Sequence, residues 1–184
     1  MFNQSHRDIF WCKAHLGCDP GLVRWLKDHG SLTQRIQQRC HHFSVRKVHA
    51  GLACIARDES ALLDLAPHQL AYSRDVFLYA DNQAVVFAHS TCAPKHLHGA
   101  WSAVAGLGNQ PLGALLFAHP LVERHPLHYK ALRHHHPLYH RAARVLSIPP
   151  PLLWARRSLF LLHGAPLLVT EVFLPEILRL NQEP

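Results

Sequence analysis

The sequence has few acidic residues, few cysteines and no long apolar segment, and each shortage argues against a class of protein. The chain has 12 Asp and Glu residues against 19 Lys and Arg residues, a formal net charge of +7 that favours acidic partners. The five cysteines form an odd set without a Cys-x-x-Cys pair, which argues against a disulfide framework or a zinc ribbon. No segment approaches the roughly 20 apolar residues of a membrane span, and no apolar stretch resembles a signal peptide. We expect a cytoplasmic protein with no integral membrane segment and with reduced, mostly buried cysteines.

The basic residues are scattered, which argues against a nucleic-acid-binding protein. No run of five or more basic residues occurs, and no aromatic RNA-binding signature accompanies them. An anionic metabolite is therefore the favoured acidic partner. The 184 residues, of which 48% are hydrophobic and 17% charged, suffice for one domain with its own core. We expect a single domain over residues 1–184 and a monomer.

Capping signals predict short helices. Asp19-Pro20 combines an N-cap residue with proline at the first helical position, and Gly30 would end that helix. Ser31-Leu32-Thr33-Gln34 fits a capping box that opens a second helix through about Cys40. Pro111 is placed to start a third short helix through Phe117.

Alternating and β-branched residues predict an antiparallel sheet. Residues 43–55 form one strand or two. Two hairpins follow, of residues 71–80 with 84–92 and of 156–162 with 167–174, each joined by a polar or glycine-containing turn. Hairpins with segregated short helices favour an α+β domain with a single antiparallel β-sheet and short helices packed on it.

Two charged residues occupy apolar faces of predicted strands. Alternation places Arg74 on the face of Val76 and Leu78, and it places Glu171 on the face of Val169. Burying a charge costs several kcal/mol unless it is paired or serves a ligand. A buried ion pair, or side chains that reach solvent from strand ends, would explain both residues. The functional interpretation is a polar pocket, because a guanidinium binds a carboxylate bidentately and a carboxylate accepts from a hydroxyl.

Four segments in register resemble the chorismate lyase (chorismate–pyruvate lyase) family. They lie between about Trp11 and Pro175, and they are Asp19-Pro20 with Trp25-Leu26 and Ser31-Leu32-Thr33; Arg74-Asp75-Val76-Phe77-Leu78-Tyr79-Ala80-Asp81; Pro111-Leu112-Gly113; and Arg156-Arg157-Ser158 with Gly164-Ala165-Pro166-Leu167-Leu168-Val169-Thr170-Glu171-Val172-Phe173-Leu174-Pro175. The resemblance implies an enzyme that cleaves chorismate into 4-hydroxybenzoate and pyruvate, the first step of ubiquinone biosynthesis. It also implies an internal site under helical flaps and no cofactor.

The resemblance also assigns site residues. The family's carboxylate-binding arginine falls on Arg74, its hydroxyl-contacting glutamate on Glu171, and the leucine that contributes a backbone N–H on Leu112. A fourth substrate-binding position, usually methionine in the flap helix, falls on Leu32. We expect Arg74 and the Leu112 amide to hold the ring carboxylate, with Glu171 near the ether or hydroxyl oxygen as acid–base or positioning acceptor. This predicts a water-poor chamber whose two ends carry opposite charges.

Three further groups of residues are interpreted as structural. Arg156 and Arg157 alternate in direction, so one is expected to face solvent, and the alternative for the other is to add positive potential near the mouth of the pocket. Solvent exposure is the favoured interpretation, and neither is assigned to the site. An arginine common in the family on the second strand of the first hairpin is replaced by Ala88-His89-Ser90, which predicts different local electrostatics. His136 and His140 have the i,i+4 spacing of metal ligands, but no Cys or carboxylate accompanies them. No metal site is expected, and residues 119–151 are interpreted as a His- and Pro-rich insertion on the surface.

An alternative function belongs to another class. The same fold resembles the effector domains of some bacterial transcription regulators, which bind small molecules without catalysis. A regulator would carry a helix-turn-helix module before this domain, and the family-like region begins at about residue 11. The enzyme is therefore the favoured interpretation.

Overall fold

A single antiparallel sheet organises the molecule. The computed structural model describes residues 11–13 and 17–181. The sheet has the strand order β1-β2-β3-β7-β6-β4, and β5 also pairs with β6. The strands are β1 (Phe43–Cys54), β2 (Leu70–Ala80), β3 (Gln83–Cys92), β4 (Glu123–Arg124), β5 (His128–Arg133), β6 (Leu152–Leu162) and β7 (Ala165–Phe173). The predicted α+β class is confirmed.

Short helices connect and cover the strands. They are α1 (Pro20–Leu26), α2 (Leu32–Gln37), α3 (Arg57–Ser60), α4 (Ser102–Ala105), α5 (Leu112–Ala118) and α6 (Pro137–Ala143), with 3-10 turns at Pro94–His98 and Pro175–Asn181. Asp19 caps α1 by accepting from two backbone N–H groups, and the Ser31 side chain caps α2. Helix α1 ends at Leu26 rather than at Gly30, and the Arg156 guanidinium donates to the carbonyl oxygens of Trp25 and Leu26 at that end.

Both predicted hairpins form. β2 and β3 meet at Asp81 and Asn82, whose φ angles of 47° and 67° fit the left-handed conformation of a two-residue turn. β6 and β7 meet at His163 and Gly164, which also have positive φ. Residues 43–54 form one strand with an irregularity between Lys47 and His49.

Strand alternation gives the sheet two distinct buried faces. One face, called here the cavity face, packs against α1, α2 and α5 through clusters that include Trp25, Leu32, Val76 and Leu116. The opposite face carries Phe77, Phe87 and Val172, which pack against α6. Neighbouring residues on one strand therefore serve different environments.

The prediction of a surface insertion at residues 119–151 is wrong where β4, β5 and one side of α6 join the fold. β4 and β5 pair with β6 as part of the sheet. Leu127, Tyr129 and Leu132 are buried in the core, and Leu138 and Tyr139 bury one side of α6. Histidine and proline masked the apolar pattern of these elements.

The five cysteines are free, as the sequence predicts. Only Cys92 is buried, whereas Cys12 and Cys54 are exposed, so the prediction of mostly buried thiols is wrong. Cys54 is exposed because it ends strand β1, which lies at the edge of the sheet. Across the described ranges, no helix combines the length and apolar character that crossing a membrane requires.

Candidate active site

One cavity between the cavity face and helices α2 and α5 brings together the four residues predicted for the site. Arg74, Glu171, Leu112 and Leu32 all line it. Including its opening to solvent, the space between these residues has an empty volume of about 650 Å³. Both charged side chains therefore face a common interior space.

Arg74 is held in the cavity wall by the loop that precedes α5. Its Nη2 donates to the carbonyl oxygens of Gly108 at 3.1 Å and Gln110 at 2.7 Å. The residue is only 3% exposed, and its Nε has no hydrogen-bond partner among the residues that the structure describes. Burial lowers the pKa of Arg74 because desolvation disfavours the charged guanidinium, and the coulombic influence of Tyr72 acts in the opposite direction. A buried donor without an acceptor suits a ligand oxygen.

Glu171 forms an ion pair with Arg156, its direct cross-strand neighbour. The Nε of Arg156 lies 2.5 Å from Oε2 of Glu171. Nη1 of Arg156 donates to the carbonyl oxygens of Trp25 and Asp28, at 2.8 and 2.6 Å. Glu171 therefore enters the cavity as a paired carboxylate with its orientation fixed from one side.

The prediction that one of Arg156 and Arg157 faces solvent is wrong. Arg156 is 1% exposed and lines the cavity. Arg157, on the opposite face, is 2% exposed, and its Nη1 lies 3.4 Å from Oδ2 of Asp58. Both faces of β6 are covered in this fold, so alternation exposes neither residue.

Arg124 on β4 is a cavity residue that the sequence did not reveal. Its Nε donates to Oγ of Ser158 and its Nη1 to the carbonyl oxygen of His29. The guanidinium also lies over the rings of Phe117 and Phe160, at 5.5 and 5.4 Å from their centroids. A two-residue strand in a His- and Pro-rich stretch has no periodicity that could have identified it.

The distribution of charge along the cavity differs from the prediction that its two ends carry opposite charges. Arg74 lies at one end, whereas Glu171 at the other end is accompanied by Arg156 and Arg124. In the described part of the chain, three arginines and one glutamate line the cavity, a net charge of +2. Both ends of the cavity therefore favour anions.

The remaining lining residues make room for a ring and supply backbone donors. Small side chains, Ala88 and Ser90 of the central strand β3, form the floor between Arg74 and Glu171. Leu32 and Leu112 are the first residues of α2 and α5, where backbone N–H groups have no acceptor within the helix. His89, between the two floor residues, points to the opposite face.

A buried ionic cluster lies on that opposite face. Nδ1 of His89 lies 2.5 Å from Oδ1 of Asp75, and Nε2 lies 3.2 Å from Oε1 of Glu59 and 2.7 Å from Oγ1 of Thr91. Burial alone would lower the pKa of His89, but the charges and hydrogen bonds of Glu59 and Asp75 outweigh it and raise the pKa to about 10. The imidazolium is thus a structural cation between two carboxylates, and all four side chains are buried.

The histidine-rich segment has a structural part in α6. His136 is the N-cap of this helix, and its side chain accepts from the Leu138 N–H. Among residues 11–13 and 17–181, no group of three or more His, Cys, Asp or Glu side chains is arranged to hold a metal ion.

Sequence comparison identifies the family. The profile of the family described as chorismate lyase matches residues 7–182. The chain belongs to the chorismate lyase family. A "probable chorismate pyruvate-lyase" of Nitrosospira multiformis is 52% identical over 92% of this chain and 95% of the relative. One from Nitrosomonas europaea is 47% identical over 94% of this chain and 97% of the relative. Membership of this family makes the chain an enzyme of the lyase class.

Solved structures share the fold of this chorismate lyase family member at low sequence identity. The PhnF C-terminal domain gives a TM-score of 0.56 at 13% identity, covering 82% of this chain and 94% of that domain. The effector domain of PhnF from Mycobacterium smegmatis gives a TM-score of 0.52 at 8% identity, covering 80% of this chain and 90% of that domain. These likenesses establish the fold alone.

Proposed function

We propose that the protein is a chorismate pyruvate-lyase that converts chorismate into 4-hydroxybenzoate and pyruvate without a cofactor. The observation that carries the proposal is the common cavity, in which Arg74 and Glu171 reach the same interior space from β2 and β7. We propose further that the reaction takes place in the cytoplasm and supplies 4-hydroxybenzoate for ubiquinone biosynthesis.

The cavity residues have distinct roles in this proposal. Arg74, with its unpartnered Nε, binds the ring carboxylate together with the backbone N–H of Leu112. Leu32 packs on the ring and offers its own first-turn N–H. Glu171 accepts a hydrogen bond from the ring hydroxyl at the other end.

The reaction needs positioning and a path for one proton. The ether bond between the ring carbon and the enolpyruvyl oxygen breaks, and the neighbouring ring carbon loses its proton, so the electron pair completes the aromatic ring. The enolate takes up a proton at its methylene carbon and becomes pyruvate. Aromatisation supplies the driving force, so the protein holds the substrate in a reactive orientation and excludes water. Glu171, fixed by Arg156, orients the hydroxyl-bearing carbon.

The direct test is turnover of chorismate by the purified, EDTA-treated protein. We expect the absorbance of 4-hydroxybenzoate to appear with one pyruvate formed per product molecule, and we expect no change on chelation. A protein that binds 4-hydroxybenzoate saturably but forms no product would instead be a sensor, the alternative function considered above.

The contact between α2 and α5 gives a second test, since both helices cover the cavity. A Cβ atom at Gly113 would lie 3.3 Å from Oγ1 of Thr33 and 3.4 Å from Oγ of Ser31. Gly113→Val should separate the helices and lower kcat/KM for chorismate about tenfold, since overpacking typically costs about 1–3 kcal/mol. The matched control is Gly106→Val, because a Cβ there meets only a carbonyl oxygen at 3.8 Å. Equal activities of the two variants would contradict a covering role for this contact.

A further inference from the structure

The end of the cavity that holds Glu171 also holds two arginines, which the roles above leave without a ligand. We infer that Arg124 and Arg156 form a second anion subsite, which binds the carboxylate of the enolpyruvyl group while Arg74 binds the ring carboxylate. This inference rests on the proposed function, because it assigns the second charge of the same substrate.

The connectivity of chorismate requires a cation at this end. The hydroxyl and the enolpyruvyl ether are attached to adjacent ring carbons, both remote from the carbon that carries the ring carboxylate. A substrate whose hydroxyl meets Glu171 therefore brings its second carboxylate close to the same side chain. Two carboxylates in a partly desolvated site repel each other unless a cation separates them. Arg156 is already paired with Glu171, and Arg124 adds the further positive charge.

The contacts of the two arginines orient them for this role. Arg124 uses Nε toward Ser158 and Nη1 toward the carbonyl oxygen of His29. Arg156 uses Nε toward Glu171 and Nη1 toward backbone carbonyl oxygens at the end of α1. A guanidinium has five N–H donors, so these bonds fix both planes and leave Nη2 of each, among the described contacts, for a ligand. Fixed donors lose little entropy when an anion binds.

The charge of the cavity agrees with a doubly charged substrate. The described lining residues carry a net charge of +2, and chorismate carries two negatively charged carboxylates. After cleavage each product retains one carboxylate, so the aromatic acid remains at Arg74 and the three-carbon 2-oxo acid remains at Arg124 and Arg156. Pyruvate should therefore bind to the protein while 4-hydroxybenzoate occupies the other end.

Arg124→Met is the variant that tests the subsite, because methionine keeps the apolar packing on Phe117 and Phe160 while it removes the charge. Arg156 is less suitable, since it also binds the end of α1. We expect KM for chorismate to rise about 30-fold or more, with the Kd of 4-hydroxybenzoate changed less than about threefold. Arg124→Lys should recover part of the loss, and Arg144→Met, an exposed arginine outside the cavity, should leave both constants unchanged.

Two results for Arg124→Met would contradict the subsite. One is an unchanged KM for chorismate, and the other is an increase in the Kd of 4-hydroxybenzoate as large as the increase in KM for chorismate. A calorimetric titration separates this failure from failure of the proposed function. Pyruvate is titrated into protein saturated with 4-hydroxybenzoate, and no turnover is needed. Pyruvate binding that disappears in Arg124→Met supports the subsite even if chorismate is not converted, whereas absence of binding to the unaltered protein contradicts it.

Discussion

Replacing Arg74 with alanine should lower kcat/KM for chorismate about 150-fold, the largest effect on activity expected of any single cavity residue. Truncating one member of a buried charged hydrogen-bonded pair costs about 2–5 kcal/mol, and about 3 kcal/mol corresponds to that factor. The loss should be large because the Arg74 guanidinium is buried and held by two loop carbonyl groups, and alanine offers no donor in its place. Steady-state kinetics of chorismate conversion provides the measurement.

The matched control is Arg46→Ala, which removes an arginine of the same sheet outside the cavity. Arg46 is exposed on β1 and lies over the ring of Tyr79. Its removal should leave kcat/KM within about twofold of the unaltered protein, since exposed cationic contacts are worth about 1 kcal/mol or less and this one does not face the substrate. Near-normal activity of Arg74→Ala in a folded protein would remove the anion-binding role.

The second large effect is expected on stability, in the variant His89→Leu. Leucine leaves the carboxylates of Asp75 and Glu59 buried without the cation between them, and breaking such a buried pair costs about 3–5 kcal/mol. The melting temperature should fall by roughly 10 °C for a domain of this size. Urea and thermal unfolding at pH 7 measure the loss. His41→Leu, an exposed histidine outside the cluster, is the control and should change stability little.

The pH dependence of stability gives an independent readout for the same cluster. The pKa of His89 is about 10 in the folded protein and 6.5 ordinarily, so the folded state holds the proton more tightly. The contribution of His89 is therefore complete below about pH 6.5 and is lost as the pH rises through 10. Asp75 acts in the opposite range: burial would raise its pKa, but His89 and Arg141 lower it, so its contribution is lost on acidification.

Comparing the unaltered protein with His89→Leu shows whether His89 causes the loss of stability at alkaline pH. The unaltered protein should lose stability between pH 6.5 and 10, whereas His89→Leu should lose less over this interval. Parallel decreases in both proteins would contradict a charged His89 in the fold.

The elements with strong local signals were predictable from the sequence. Alternation over β2 and β7 places Arg74 and Glu171 on buried faces, and the structure brings both into the same cavity. Asp19 and Ser31 are capping residues whose side chains act locally, so both helix starts were identified. These features depend on residues that lie close to one another in the sequence.

Features that depend on distant packing were not predictable. Alternation gave Arg156 and Arg157 opposite directions, but only the complete sheet, covered on both faces, buries both. The carbonyl groups at the end of α1 accept from Arg156, more than a hundred residues away. Arg124 reaches the cavity because a two-residue strand pairs with β6, an arrangement without local periodicity.

Adjacent charged residues in β2 and β6 face opposite sides of the sheet, and this limits where the chain can gain or lose a residue. Arg74 faces the cavity, whereas Asp75 belongs to the ionic cluster on the opposite face. Likewise, Arg156 faces the cavity, whereas Arg157 pairs with Asp58 on the opposite face. Deleting one codon within β2 or β6 would turn the side chains of part of the strand to the opposite faces. In β2 an acid would then replace the anion-binding arginine while the cluster receives an unmatched cation. Insertions and deletions should therefore accumulate in turns and helices, and the residue count of these two strands should stay constant while individual side chains diverge.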